Sequence, residues 1–130
     1  MTVQNITAVE AYKLMKIIQN SVLIDVRTEK EWKEGGVVTL DHEFVKILLL
    51  SWRLLPDMVL NQSFIKEISA KILDNSANLF FMCRSGVRSF EAANFVLQHG
   101  YLNCYNISDG FESNQNDYGW KNNNLPWRML

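Results

Sequence analysis

Three short apolar runs, Val22-Leu23-Ile24-Asp25-Val26, Asn78-Leu79-Phe80-Phe81-Met82 and Cys104-Tyr105-Asn106-Ile107, alternate along the chain with segments that carry helix signals. Runs of this length, apolar at consecutive positions, suit strands covered on both faces. Thr7-Ala8-Val9-Glu10 and Thr28-Glu29-Lys30-Glu31 both have capping-box spacing, in which the Thr hydroxyl bonds the backbone N–H three residues on and the Glu reaches back. Ala11, Leu14 and Ile18 form an apolar stripe behind the first box, and Gly35-Gly36 stops the helix behind the second. Ile65, Ile68 and Ile72 make a third stripe, and a further helix, about Ser89 to His99, ends at Gly100. Strand and helix in alternation imply right-handed crossovers. The expected fold is therefore α/β: a central, mostly parallel sheet with helices on both faces.

With 130 residues and 15.1 kDa, the chain has the size of one domain, and residues 1–130 are read as one. Thirteen Lys and Arg against fourteen Asp and Glu leave a formal charge of −1. A non-specific nucleic-acid or membrane-surface binder needs a basic excess, so neither partner is expected. Cys83 and Cys104 form no CxxC, and neither has metal-ligand spacing with His42 or His99. No disulfide scaffold, metal or organic cofactor is implied. The N-terminal residues have neither a basic nor an apolar region of the signal-peptide kind, and Ile47–Trp52 is far short of the roughly 20 residues that span a bilayer. The expected setting is cytoplasmic and reducing.

The segment with chemical content is Phe80-Phe81-Met82-Cys83-Arg84-Ser85-Gly86-Val87-Arg88-Ser89. An apolar strand ends at a cysteine, a short loop with two arginines follows, and a helix begins at once. Ligands of open parallel sheets bind beyond the carboxyl ends of the strands, where this order places Cys83. A helix N-terminus, an amide-lined loop and nearby guanidinium groups all favour a thiolate over a thiol. Gly86 can supply the positive φ that curls such a loop. A structural cysteine in a turn is the bland alternative, and a strand end flanked by two Arg is the wrong environment for it.

Cys83-Arg84-Ser85-Gly86-Val87-Arg88-Ser89 resembles the active-site loop of the rhodanese-like sulfurtransferases. Leu23-Ile24-Asp25-Val26-Arg27 with Glu31-Trp32 resembles that family's early signature, and Glu91-Ala92-Ala93, Gly100-Tyr101 and Tyr105 to Gly110 its later helix, strand and glycine. The chain departs from it at Gly35-Gly36-Val37-Val38-Thr39-Leu40 and at Gly110-Phe111, on the rim rather than in the loop. The resemblance implies a single rhodanese-like domain that moves a sulfane sulfur through a Cys83 persulfide. The donor is thiosulfate or a persulfide, and the acceptor is cyanide, a thiol or a protein thiol. Arg84, Ser85, Gly86, Val87 and Arg88 are then the substrate-binding residues, with Arg84 on the anionic donor and Arg88 supporting the loop through its carbonyls. Other rhodanese-like readings are a persulfide carrier between proteins and a non-catalytic docking or regulatory domain. A phosphatase or arsenate reductase would need a Cys-x5-Arg loop, and here four residues separate Cys83 from Arg88.

The remaining conspicuous residues are read as structural. Asp25 and Arg27 are expected in an ion pair with Glu31 or a neighbouring loop. Asp109 is expected as a turn former. Trp32, Trp52, Trp120 and Trp127 are expected as packing aromatics, and His99 at a helix C-terminus. His42 has no partner identifiable from sequence. Val37–Leu40 reads as an edge strand and residues 44–55 as a loop or helix.

Overall fold

The computed structural model describes residues 1–40 and 45–130. Its elements are β1 (Gln4–Ile6), α1 (Ala8–Ile17), β2 (Ser21–Asp25), α2 (Glu29–Gly35), β3 (Val37–Val38), β4 (Val45–Leu49), β5 (Arg53–Leu54) and β6 (Val59–Leu60). There follow α3 (Phe64–Lys71), β7 (Asn78–Met82), α4 (Val87–Gln98), β8 (Asn103–Ile107), a 3-10 turn (Lys121–Asn123) and β9 (Trp127–Arg128). The order β1-β8-β7-β2-β4 makes a five-stranded sheet in which every pairing is parallel. The α/β architecture expected from the alternating pattern is the one observed.

Side-chain alternation along the central strands separates two apolar layers. Leu23, Phe80 and Met82 face α1, where they meet Ala8, Ala11 and Met15 together with Phe111 and Trp120. Val22, Ile24, Leu79 and Phe81 face the other way, onto Phe64 and Ile68 of α3 and Ala92, Ala93 and Val96 of α4. Both capping boxes form: Thr7 Oγ accepts from Glu10 N–H at 3.1 Å, and Thr28 Oγ from Glu31 N–H at 3.3 Å. They fix where α1 and α2 start, and so where the preceding strands stop.

Two expectations need correction. Residue 44 lies outside the described residues, and 45–55 are neither loop nor helix throughout: β4 is an edge strand paired with β2 from Ser21↔Val45 to Asp25↔Leu49, and β5 and β6 form a small antiparallel hairpin. Ile47-Leu48-Leu49-Leu50 is continuous enough to suit a buried helix as well as a strand, so its period does not discriminate. Val37 and Val38 do form a strand, but it pairs antiparallel with β9 instead of lying on the edge of the main sheet. His42 lies outside the described residues. Trp52 packs between Phe64 and Phe95, ring centroids 5.0 and 5.3 Å away. Trp120 is buried, with its indole N–H on the Pro126 carbonyl at 2.7 Å.

Candidate active site

β7 delivers Cys83 to the carboxyl end of the sheet at its centre, between β2 and β8. Three loop residues, Arg84 to Gly86, then lead into α4. Gly86 has φ +101°, and a β-carbon there would collide with the Ser108 carbonyl. Gly110 is packed as closely against the Arg84 carbonyl. The turn after β8 holds the loop from its other side: Phe111 N–H donates to the Cys83 carbonyl at 2.9 Å and Glu112 N–H to that of Arg84 at 3.0 Å. Backbone thus fixes backbone on both flanks of the cysteine.

The Cys83 side chain is recessed, with the residue 1% exposed. Its Sγ accepts the Gly86 N–H at 3.1 Å and lies 3.2 Å from Ser89 Oγ. Arg88, expected to bond loop carbonyls, instead reaches across to α2: Nη1 and Nη2 donate to the two carboxylate oxygens of Glu31 at 2.7 and 2.9 Å. The pair is partly buried, with side chains 18% and 27% exposed. Burial of Glu31 works against its charge, but hydrogen bonds from Arg88 and Thr28 prevail and hold the carboxyl at about 2. Hydrogen bonding to Glu31 raises Arg88 in turn, against the desolvation of its charge. Glu31 Oε1 also caps α2 by accepting from Thr28 N–H at 3.1 Å, so one carboxylate caps the start of a helix and anchors the loop arginine.

Arg27 pairs with Asp25 rather than with Glu31. Its Nε and Nη2 lie 3.0 and 2.8 Å from the Asp25 carboxylate, Nη2 also donates to the Gly36 carbonyl at 2.8 Å, and the guanidinium stacks 4.1 Å from the Phe111 ring centre. This buried pair forms a floor beside the loop. A cavity of about 230 Å³ opens above it, lined by Arg27, Glu31, Glu34, Gly35, Arg84 and Glu112. Arg84 is exposed and makes no side-chain hydrogen bond or ion pair among the described residues. Ser85 faces a separate polar cleft with Thr7, Ser108 and Asp109. Val87, on the first turn of α4, is 69% exposed.

The structure thus brings Cys83, Gly86 and Arg88 into one cradle and leaves Arg84, Ser85 and Val87 on its rim. Asp109 does more than form a turn: its carboxylate accepts the Ala8 N–H at 2.7 Å and the Gly119 N–H at 2.8 Å, tying α1 to the polar excursion after β8. His99 Nδ1 sits 2.8 Å from the Phe95 carbonyl, at the end of α4. Sequence reasoning gave no role to Asn106 and none beyond the motif to Ser89. An Asn between Tyr105 and Ile107, inside the apolar part of β8, was the available signal.

Residues 3–130 match the family described as STR4 middle domain. Rhodanese-like domain-containing protein 17 of Arabidopsis thaliana is 27% identical over 131 residues, covering 99% of this chain and 77% of that protein. The chain belongs to the STR4 middle-domain family and is rhodanese-like. An uncharacterized protein of Rickettsia rickettsii is 51% identical to this rhodanese-like chain over 129 residues, covering 99% of it and 100% of the relative. The crystal structure of Rv0390 from M. tuberculosis superposes with a TM-score of 0.86 at 31% identity, covering both chains completely. The parallel sheet and the four helices among the described residues are those of a rhodanese-like fold. Among the described residues, no helix is long and apolar enough to cross a membrane.

Proposed function

We propose that this rhodanese-like protein is a sulfurtransferase in which Cys83 carries the sulfur. The Cys83 thiolate attacks the outer sulfur of thiosulfate or of a persulfide. A new S–S bond forms on Cys83, the donor's S–S bond breaks, and sulfite or a thiolate leaves with the electron pair. An acceptor thiolate, or cyanide, then attacks the outer sulfur of the Cys83 persulfide and returns Cys83 as thiolate. The atoms balance with no metal or organic cofactor.

One observation carries this reading: the cysteine sulfur sits on the Gly86 N–H inside a loop whose arginine is already bound, at both Nη atoms, to Glu31. The guanidinium serves the wall of the cradle and still has N–H groups to spare. The loop's length is what supports sulfur chemistry over phosphoryl transfer: four residues separate Cys83 from Arg88, one fewer than in a Cys-x5-Arg loop. Arg84, exposed at the cavity and without a side-chain partner among the described residues, is the residue for an anionic donor. Val87 and Phe90, 69% and 40% exposed beside the loop, favour a protein thiol as the acceptor, so that the persulfide passes between proteins.

Intact-mass measurement after incubation with thiosulfate tests the proposal. A gain of one sulfur atom in the wild type, absent from Cys83→Ser, is the expected result. No gain from thiosulfate or from a low-molecular-weight persulfide would sink it in favour of a docking domain.

A further inference from the structure

Behind the Cys83 sulfur runs a buried file of polar groups. Ser89 Oγ lies 3.2 Å from Sγ and donates to Asn106 Oδ1 at 2.6 Å. Asn106 Nδ2 donates to the Gly86 carbonyl at 3.1 Å and to Asn5 Oδ1 at 2.9 Å. Ser89 and Asn106 are 0% and 2% exposed, so no bulk water competes for the bond between them. The Gly86 carbonyl can only accept, which fixes which end of the Asn106 amide is nitrogen. Asn106 Oδ1 therefore faces Ser89 as an acceptor and holds the hydroxyl proton.

That arrangement suits a thiol. With its own proton on Asn106, Ser89 Oγ turns lone pairs toward the sulfur and can accept the S–H. It does not suit an anion. Once the thiol proton has gone to solvent, lone pairs would face negative charge at 3.2 Å. Rotation about the Ser89 C–O bond relieves this by moving the hydroxyl proton from Asn106 Oδ1 to the sulfur. Hydrogen bonds to a charged partner are roughly twice as strong as neutral ones, so the exchange favours the anionic state.

Resting on the sulfurtransferase reading, we infer that the Ser89 hydroxyl is a two-position donor that turns to the Cys83 sulfur whenever that sulfur is charged. Ser89 touches the reacting atom. Asn106 is a positioning residue: it parks the hydroxyl in the uncharged state and pins the Gly86 peptide whose N–H meets the sulfur.

The test is the rate at which iodoacetamide, a neutral reagent, alkylates Cys83 at fixed neutral pH, measured in wild type, Ser89→Ala and Ser89→Thr. This readout needs an anionic sulfur but no sulfur transfer. Loss of a hydrogen bond to a charged sulfur predicts roughly tenfold or more slowing in Ser89→Ala. Its thermal transition should remain cooperative, and Ser89→Thr should react close to wild type. A Ser89→Ala rate within twofold of wild type overturns the inference, as does a folded Ser89→Thr that is as slow as Ser89→Ala. If Thr does not fit the buried site, Ser89→Ala decides alone. Slowed alkylation in a protein that takes no sulfur from thiosulfate or a persulfide would uphold the donor and sink the proposed function, so the two failures are separable.

Discussion

Glu31 and Arg88, 57 positions apart, meet through two charge-assisted hydrogen bonds of 2.7 and 2.9 Å and join α2 to the helix that starts at the cysteine loop. The same carboxylate caps α2 through Thr28. Because the cap is local, the second task of Glu31 is concealed from anyone reading the sequence alone.

Glu31→Gln should reveal that task in the pH dependence of stability. The Glu31 carboxyl is held at about 2, below its ordinary value of 4.5. Its contribution is therefore fully present above about pH 4.5 and is lost as pH falls through about 2. Discounted for partial exposure, it is worth about 1–3 kcal/mol. Glu31→Gln should be less stable at neutral pH, and its denaturation curves should change less than those of wild type between pH 4.5 and 2. Identical pH profiles would mean that the pair contributes nothing to folding.

Arg84 makes a different prediction, because its guanidinium faces a cavity and holds no partner among the described residues. Arg84→Ala should raise the KM for thiosulfate several-fold and change kcat less, since ground-state and transition-state binding of the donor fall together. Thermal stability should stay near wild type. A fall in kcat at constant KM would place the arginine in the chemical step instead.

Cys104 should be inert. Burial pushes its thiol up to about 12, and Leu79, not Cys83, is its neighbour across the sheet. Cys83 lies four residues further along, so at ~3.3 Å per residue the two are about 13 Å apart, well beyond the ~7 Å that a disulfide allows between Cα atoms. Cys104→Ala should leave turnover close to wild type. A Cys83–Cys104 disulfide trapped under native conditions would contradict the strand register.

Gly86→Ala should be severe. The substitution combines a positive φ with a β-carbon driven into the Ser108 carbonyl, and the loop has to open to admit it. Loss of Cys83 reactivity is expected even if the protein still folds. Alkylation at the wild-type rate would show that the Gly86 N–H is not what holds the sulfur.

What the sequence made legible was local or periodic. Thr7 and Thr28 announced two helix starts within four residues each, and unbroken apolar runs announced β2 and β7. The loop could be read because a strand end, a glycine and a helix start are adjacent in the chain. β4 could not, because the run from Ile47 to Leu50 fits either period and its partner strand lies more than twenty residues away. The pairings Arg88–Glu31 and Ser89–Asn106 are products of tertiary packing. Arg88 in particular had a nearer set of plausible partners, the loop carbonyls, and took a distant one because a carboxylate is the stronger acceptor.

The anchoring of the loop at both ends also bears on how such a chain can change over evolution. Gly86 is seated on Ser108, and Arg88, two residues later, is seated on Glu31. Adding one residue between Gly86 and Arg88 would move at least one of these out of register with a wall that had not changed. A change of loop length in such a chain therefore has to be matched by a change in the turn after β8 or in α2.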